Sequence, residues 1–213
     1  MRFIDRADAG KKLAQYLSGY VKNPDAVVIA LPRGGVVTGF EIARMLHISL
    51  DIVVTRKIGA PGQPELAVGA LTQEGEPLFN ASLMRDLGLT ADDVAVIIAQ
   101  EKKEAQRRLA LYRPEREQLD LKDKIVIVTD DGVATGATMR AALVTIRGHN
   151  PKKIVLAIPV CPPAELEALR VLVDEVVCLY SPETFWGVGA FYDQFDQVTD
   201  AQVVSLMRAS DVS

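Results

Sequence analysis

The chain has 213 residues, 24 Lys and Arg against 28 Asp and Glu for a formal charge of −4, 49% hydrophobic residues and 6% aromatic ones. That length and apolar fraction predict one folded domain over 1–213 and exclude disorder, while net acidity without a Lys/Arg run argues against nucleic acid as the main ligand. No apolar run approaches the roughly 18 residues of a membrane span, and MRFIDRADAGKK puts acids where a signal peptide is apolar, so the expected location is cytoplasmic, with no membrane partner.

Helical periodicity over about 7–21 sets Leu13, Tyr16, Leu17, Tyr20 and Val21 on one face. A buried-strand run at 26–31 (AVVIAL), a Pro32-Arg33-Gly34-Gly35 turn, a helical pattern at 36–46 and a second strand run at 51–55 follow. Residues 56–80 are rich in Gly and Pro and predict a hairpin or mobile excursion turning at Pro61-Gly62 and Glu74-Gly75. A charged helix is predicted over 92–112, with Val94, Ile97, Ile98, Leu109 and Tyr112 for burial and Arg113-Pro114 as its stop. Arg107, Arg108 and Arg113 could line a site, although charges on a long helix usually form a solvated face.

Beyond that helix, strand runs at 125–129, 153–159 and 175–180 alternate with helices at 136–148 and 163–172. Alternation of this kind predicts an α/β fold, a mostly parallel sheet with helices on both faces, with ligands outside the carboxyl ends of the strands. Residues 181–213 read as a small lobe carrying Phe185, Trp186, Phe191, Tyr192 and Phe195 before a last helix capped near Thr199 or Asp200. Those aromatics could stack on a planar ring or simply form the lobe's own core. Cys161 and Cys178 lie beside or inside apolar strands, which leaves no disulfide framework or cysteine-rich zinc site. His47 and His149 flank predicted helix ends and receive no catalytic role.

The most informative segment is Ile125 to Met139, IVIVTDDGVATGATM. Four apolar residues run into Asp130-Asp131, then a small-residue loop from Gly132 to Thr138, then a helix. Adjacent carboxylates repel unless something positive or hydroxylic meets them, and vicinal ribose hydroxyls and a hydrated Mg²⁺ both qualify. The loop Ala134-Thr135-Gly136-Ala137-Thr138 offers backbone N–H groups, hydroxyls and no bulk at a helix start, as a phosphate monoester needs. Acids for a sugar and amides for its phosphate stand at the spacing of one ribose 5-phosphate.

This string resembles the phosphoribosyl-pyrophosphate (PRPP) signature of the type I phosphoribosyltransferases. Leu31-Pro32-Arg33-Gly34-Gly35 looks like that family's short pyrophosphate loop, with Arg33 supplying charge and Gly34 and Gly35 letting the backbone approach. Thr55-Arg56-Lys57 stands where the family has a basic strand end followed by a flexible loop. The wider chain, including RKIGAPGQPELAVGAL and FWGVGAFYDQF, resembles a bacterial subgroup of phosphoribosyltransferases of undefined acceptor.

The resemblance implies a Mg²⁺-dependent enzyme that transfers ribose 5-phosphate from PRPP to a nitrogen acceptor, a nucleobase or related heterocycle as in nucleotide salvage, releasing pyrophosphate. Its implied catalytic residues are Arg33, Lys57, Asp130 and Asp131; its PRPP-binding residues are these with Gly34, Gly35, Arg56, Val133, Ala134, Thr135, Gly136, Ala137 and Thr138. Asp130 and Asp131 would meet Mg²⁺ through water. A lid over 56–80 and a hood over 181–213 would close the site. PRPP and a small-molecule acceptor are the expected partners, in a chain that could form a homo-oligomer. A PRPP-sensing regulatory protein is the alternative, disfavoured by the lack of a basic arm; a sugar-phosphate hydrolase is more remote, since no dedicated base is evident. Ala134 replaces an aspartate that the 6-oxopurine salvage enzymes carry in this loop, which disfavours hypoxanthine and guanine. Thr129 and Gly132 replace apolar residues usual beside the acids without removing a ligand.

Overall fold

The computed structural model describes residues 1–113 and 120–210. Pro114 and the last three residues of the predicted hood lie outside them. A five-stranded sheet in the order β2-β1-β6-β7-β8 forms the centre, built from β1 (Ala26–Ala30), β2 (Ser49–Ile52), β6 (Ile125–Thr129), β7 (Lys153–Val160) and β8 (Glu175–Tyr180). Every neighbouring pair in it is parallel. The β-branched runs are continuous because both faces are covered. Val28, Ala30, Ile127 and Val155 pack toward α1 (Arg6–Tyr16), α2 (Gly34–Leu46) and α7 (Asp200–Ser210), while Val27, Ile29, Val128 and Leu156 pack toward α5 (Ala137–Gly148) and α6 (Pro163–Arg170). The strand order reverses between β1 and β6, and loops leaving such a switch point diverge to open a crevice.

A second, antiparallel sheet contains β3 (Arg56–Ala60), β4 (Gln63–Leu71) and β5 (Pro77–Phe79). It packs on α3 (Ala81–Asp86) and α4 (Ala95–Tyr112) through Ile58, Val68, Leu71, Met84 and Val94. The Gly/Pro-rich stretch is thus a hairpin with one further strand, and it turns at the two dipeptides read from the sequence, with Gly62 and Gly75 at positive φ. The short α3 was not anticipated. Six residues are too few to show periodicity, and its start depends on the Asn80 side chain accepting from the Leu83 N–H.

Three other expectations are corrected. β2 occupies Ser49–Ile52 instead of 51–55, since β1 ends at Ala30, whose carbonyl accepts from the Val53 N–H, and leaves no ladder for Val54. The predicted first helix stops at Tyr16, and a 3₁₀ turn over Ser18–Tyr20 rotates the chain, so Leu13 and Leu17 are buried while Tyr16 is 70% exposed and Val21 46%. Arg113 is no surface charge: its guanidinium lies 2.9 Å from Asp51, with side chains 6% and 1% exposed, and ties the end of α4 to β2. Among the described residues no helix is long and apolar enough to cross a membrane.

Leu13→Ala should therefore cost about 2–5 kcal/mol in urea denaturation, whereas Tyr16→Ala on the same helix should stay within about 0.5 kcal/mol of the parent.

Candidate active site

The loops after β1 and β6 meet at the switch point in van der Waals contact. A Cβ on Gly34 would lie 1.9 Å from Asp131 Oδ2, and one on Gly35 would lie 2.8 Å from the Asp130 Cα. No side chain fits at either position while the acids occupy theirs. Arg33 precedes α2, and its peptide bond with Pro32 is cis. The Arg33 guanidinium sits 3.6 Å from Asp200, the first residue of α7. Asp200 also accepts from the Tyr112 hydroxyl at 2.5 Å and from Arg107 at 3.1 Å. These bonds, the tyrosine's foremost, hold its carboxyl below the ordinary carboxylate range, and burial with the same contact pushes the Tyr112 hydroxyl up to about 12.

Asp130 and Asp131 follow β6 directly, and the Asp131 N–H donates to Asp130 Oδ1 at 2.8 Å. Burial and the neighbouring Asp131 charge raise the Asp130 carboxyl well above its ordinary value. Asp131 is raised by burial too, against the pull of Arg6. Arg6 Nε lies 2.6 Å from Asp131 Oδ2, with side chains only 11% and 14% exposed. Its guanidinium is also 3.8 Å above the Phe195 ring and donates to the Asp196 carbonyl at 2.8 Å. Tyr192 stacks on Phe195 and donates its hydroxyl to the Asp131 carbonyl at 2.6 Å. Arg6 of the N-terminal helix and Tyr192 of the C-terminal segment thus hold Asp131, while Phe195 and the Asp196 carbonyl hold Arg6.

Downstream, Val133 donates its N–H to Val160 at the end of β7, and Gly136 adopts a left-handed backbone at φ 70° immediately before α5. No side chain caps this helix, so its first N–H groups face the loop side as an anion would use them. Thr55 donates to the Thr138 carbonyl at 3.2 Å, which brings the start of β3 against α5. Arg56, Lys57, Thr138, Pro32, Glu101 and Arg108 are among the residues around a cleft of about 500 Å³ between the second sheet, α4 and the two loops.

The structure therefore brings the Arg33–Gly35 turn, the two acids and the 132–138 loop to one switch point, with Arg56 and Lys57 across the cleft. Arg56 points to Glu101 at 2.6 Å. Of the three arginines considered on the charged helix, Arg108 reaches the cleft, Arg107 serves Asp200 and Arg113 is buried against Asp51. The hood aromatics largely pack on one another: Phe185 against Phe191, Phe191 against Tyr180, and Tyr192 between Phe3 and Phe195. Trp186 is the exception at 88% exposed.

Sequence reasoning missed Arg6, the Tyr192 hydroxyl and the contacts of Asp200 with Arg33, Tyr112 and Arg107. Only the demand that two carboxylates have a positive partner pointed toward Arg6, and nothing local identified which cation it was. Among the described residues no cluster of three or more His, Cys, Asp and Glu could cage a metal ion. Asp130 and Asp131, the latter paired with Arg6, are a donor set that fits a cation keeping most of its own waters.

Residues 4–196 match the family model of the phosphoribosyl transferase domain. Two curated proteins of Mycobacterium tuberculosis, from strains CDC 1551 / Oshkosh and ATCC 25618 / H37Rv and each carrying a provisional phosphoribosyl transferase name, are 40% identical over 205 residues, which is 96% of this chain and 46% of theirs. The chain thus spans about half the length of the curated relatives it matches. The crystal structure of a protein from Thermus thermophilus is similar at 40% identity and a TM-score of 0.80, covering 97% of this chain and 98% of that one.

Two substitutions, one in the acidic pair and one in its cation, should move stability in opposite directions. Arg6→Met strands Asp131 without its cation and should destabilise by about 3–5 kcal/mol. Asp130→Asn removes a disfavoured charge and should raise the thermal midpoint by about 2–4 °C at neutral pH. The sign follows from linkage: with the folded value raised, the protonated pair is most stable below the ordinary carboxylate range and loses stability as pH rises toward the raised value. The advantage of Asp130→Asn should accordingly grow over that window in melts run as a pH series.

Proposed function

The chain belongs to the phosphoribosyl transferase domain family, and from that premise we propose that it transfers ribose 5-phosphate from PRPP to a nitrogen acceptor, a nucleobase or related heterocycle, with release of pyrophosphate. The observation that carries the reading is the contact of Gly34 and Gly35 with Asp131 and Asp130. A turn suited to a pyrophosphate and acids suited to vicinal hydroxyls adjoin with no side chain between them, as the two ends of C1 chemistry in one ligand require.

In this reading the 132–138 loop and the start of α5 hold the 5′-phosphate, and Asp130 and Asp131 orient the ribose hydroxyls. Arg33 and Lys57, with the backbone of Gly34 and Gly35, meet the leaving pyrophosphate. The protein contributes little covalent chemistry. It places the acceptor against C1, adds fixed positive potential where charge develops and excludes water that would hydrolyse the donor. Mg²⁺, held through water by Asp130 and Asp131, would neutralise pyrophosphate charge. The second sheet, carrying Arg56 and Lys57 at its base, serves as the lid. Trp186 is the hood ring with a face free for an acceptor.

Incubation of the full chain with PRPP, Mg²⁺ and a panel of nucleobases, scored by pyrophosphate release, tests the proposal directly. Release that depends on one acceptor is the expected result; tight PRPP binding with no turnover on any acceptor would replace the enzyme with a PRPP sensor. Arg33→Ala should weaken PRPP and pyrophosphate by about tenfold in calorimetry, the range of a charge-assisted hydrogen bond, and leave ribose 5-phosphate nearly unchanged. Equal losses for all three ligands would contradict the assignment of Arg33 to the leaving group.

A further inference from the structure

The loop before α5 has a charged neighbour outside the 125–139 motif. α5 starts with no side-chain cap and no acid in its first turn. Instead Arg140, whose N–H donates to the Gly136 carbonyl at 2.8 Å, turns its guanidinium back over that terminus. A Cβ on Gly136 would lie 3.4 Å from Arg140 Nη2 and 3.6 Å from Nε. Helical side chains lean toward the N-terminus, which accounts for the reach. A cation in that place opposes the helix dipole, so it requires an anion.

The anion present is Glu165, from the first turn of α6. Its Oε2 lies 2.5 Å from Arg140 Nη2 and 2.8 Å from the same Gly136 Cβ position. Glu165 is favourable at its own helix start, yet its carboxylate points at the neighbouring one. A simple tie between α5 and α6 could be made anywhere along the two helices. Here it stands over the left-handed glycine of the loop, where a bound dianion would compete with the carboxylate for the guanidinium.

We propose that Arg140 is a ligand of the 5′-phosphate and that Glu165 is the resident anion from which the phosphate takes it. The proposal rests on the reading of 132–138 as the phosphate cradle. Binding exchanges one charge-assisted hydrogen bond for another and breaks no covalent bond. The two side chains are 37% and 29% exposed, so the exchange is screened and its effect is moderate. Glu165 then sets the affinity for the phosphate end: it holds Arg140 in place and weakens its availability at once.

The test is calorimetric titration of the full chain with ribose 5-phosphate and, separately, with pyrophosphate, for the parent, Arg140→Gln, Arg140→Lys and Glu165→Gln. Arg140→Gln should weaken ribose 5-phosphate by about three- to tenfold, Arg140→Lys by less, and Glu165→Gln should tighten it by about two- to fivefold. Pyrophosphate should bind all four alike. A purely structural tie would lower the melting temperature in Arg140→Gln and Glu165→Gln and leave both affinities where they were. Unchanged ribose 5-phosphate binding in folded variants, or weaker binding in Glu165→Gln, overturns the proposal. If Arg140→Gln does not fold, the sign of the Glu165→Gln effect decides alone. A parent protein that binds pyrophosphate and no ribose 5-phosphate would instead overturn the phosphate-loop reading on which the proposal rests.

Discussion

Two carboxylates on adjacent residues at the end of β6 are the constraint to which the surrounding structure answers. Like charges about 4 Å apart repel by roughly 4 kcal/mol at the effective dielectric of a protein surface, and burial adds to that cost. Arg6 lies 2.6 Å from one of them and opposes that repulsion. The backbone of the acids is held as well, by the Tyr192 hydroxyl on the Asp131 carbonyl. Gly34 and Gly35 are small because the acids fill the volume a side chain would take. From one local demand follow the docking of the first helix, the inward packing of the C-terminal aromatics and the composition of the turn after β1.

The other charges of the site are answered in the same way. Arg33 has Asp200 at 3.6 Å and Arg56 has Glu101 at 2.6 Å. A ligand that engages these groups exchanges protein ion pairs for its own, so its net gain is the difference between two sets of charge-assisted contacts. A small anion offers too little to displace several pairs together. The donor of the proposed transfer, with phosphate at one end, pyrophosphate at the other and hydroxyls between, would meet them all in one binding event. Under that proposal the paired state would favour ligands of high charge and matched length over inorganic anions.

What could be read from the sequence was what is local along the chain. Each strand of the parallel sheet is a short uninterrupted run, and the acids, the loop and the Arg33 turn each lie within one strand-to-helix junction, so their residue types and spacing are visible without a third dimension. Arg6 and Asp131 are separated by 125 positions, and Tyr112 and Asp200 by 88. No periodicity connects such pairs. The sequence also overstated helical continuity after Tyr16, because a 3₁₀ turn keeps the apolar composition and changes its direction. Arg113 misled for a related reason: a charge looks solvated until its buried partner, Asp51, is placed beside it.

The division between local and distant information has a functional consequence. In the proposed transfer the donor would be bound by junctions that each carry their own signature, and the acceptor by surfaces assembled from the second sheet, α4 and the C-terminal segment. In that segment Tyr192 and Phe195 are committed to Asp131 and Arg6, and Phe185 and Phe191 to each other. Their aromatic content therefore reflects support of Asp131 and Arg6 and the lobe's own packing more than an open face for a planar ring. Of the hood rings only Trp186 combines high exposure with a place two residues from Val188, which packs over Gly132 beside the acids. Under the proposed function acceptor selectivity would rest on a few exposed groups around an otherwise occupied hood, which is why a sequence whose junction motifs point to a donor says so little about an acceptor.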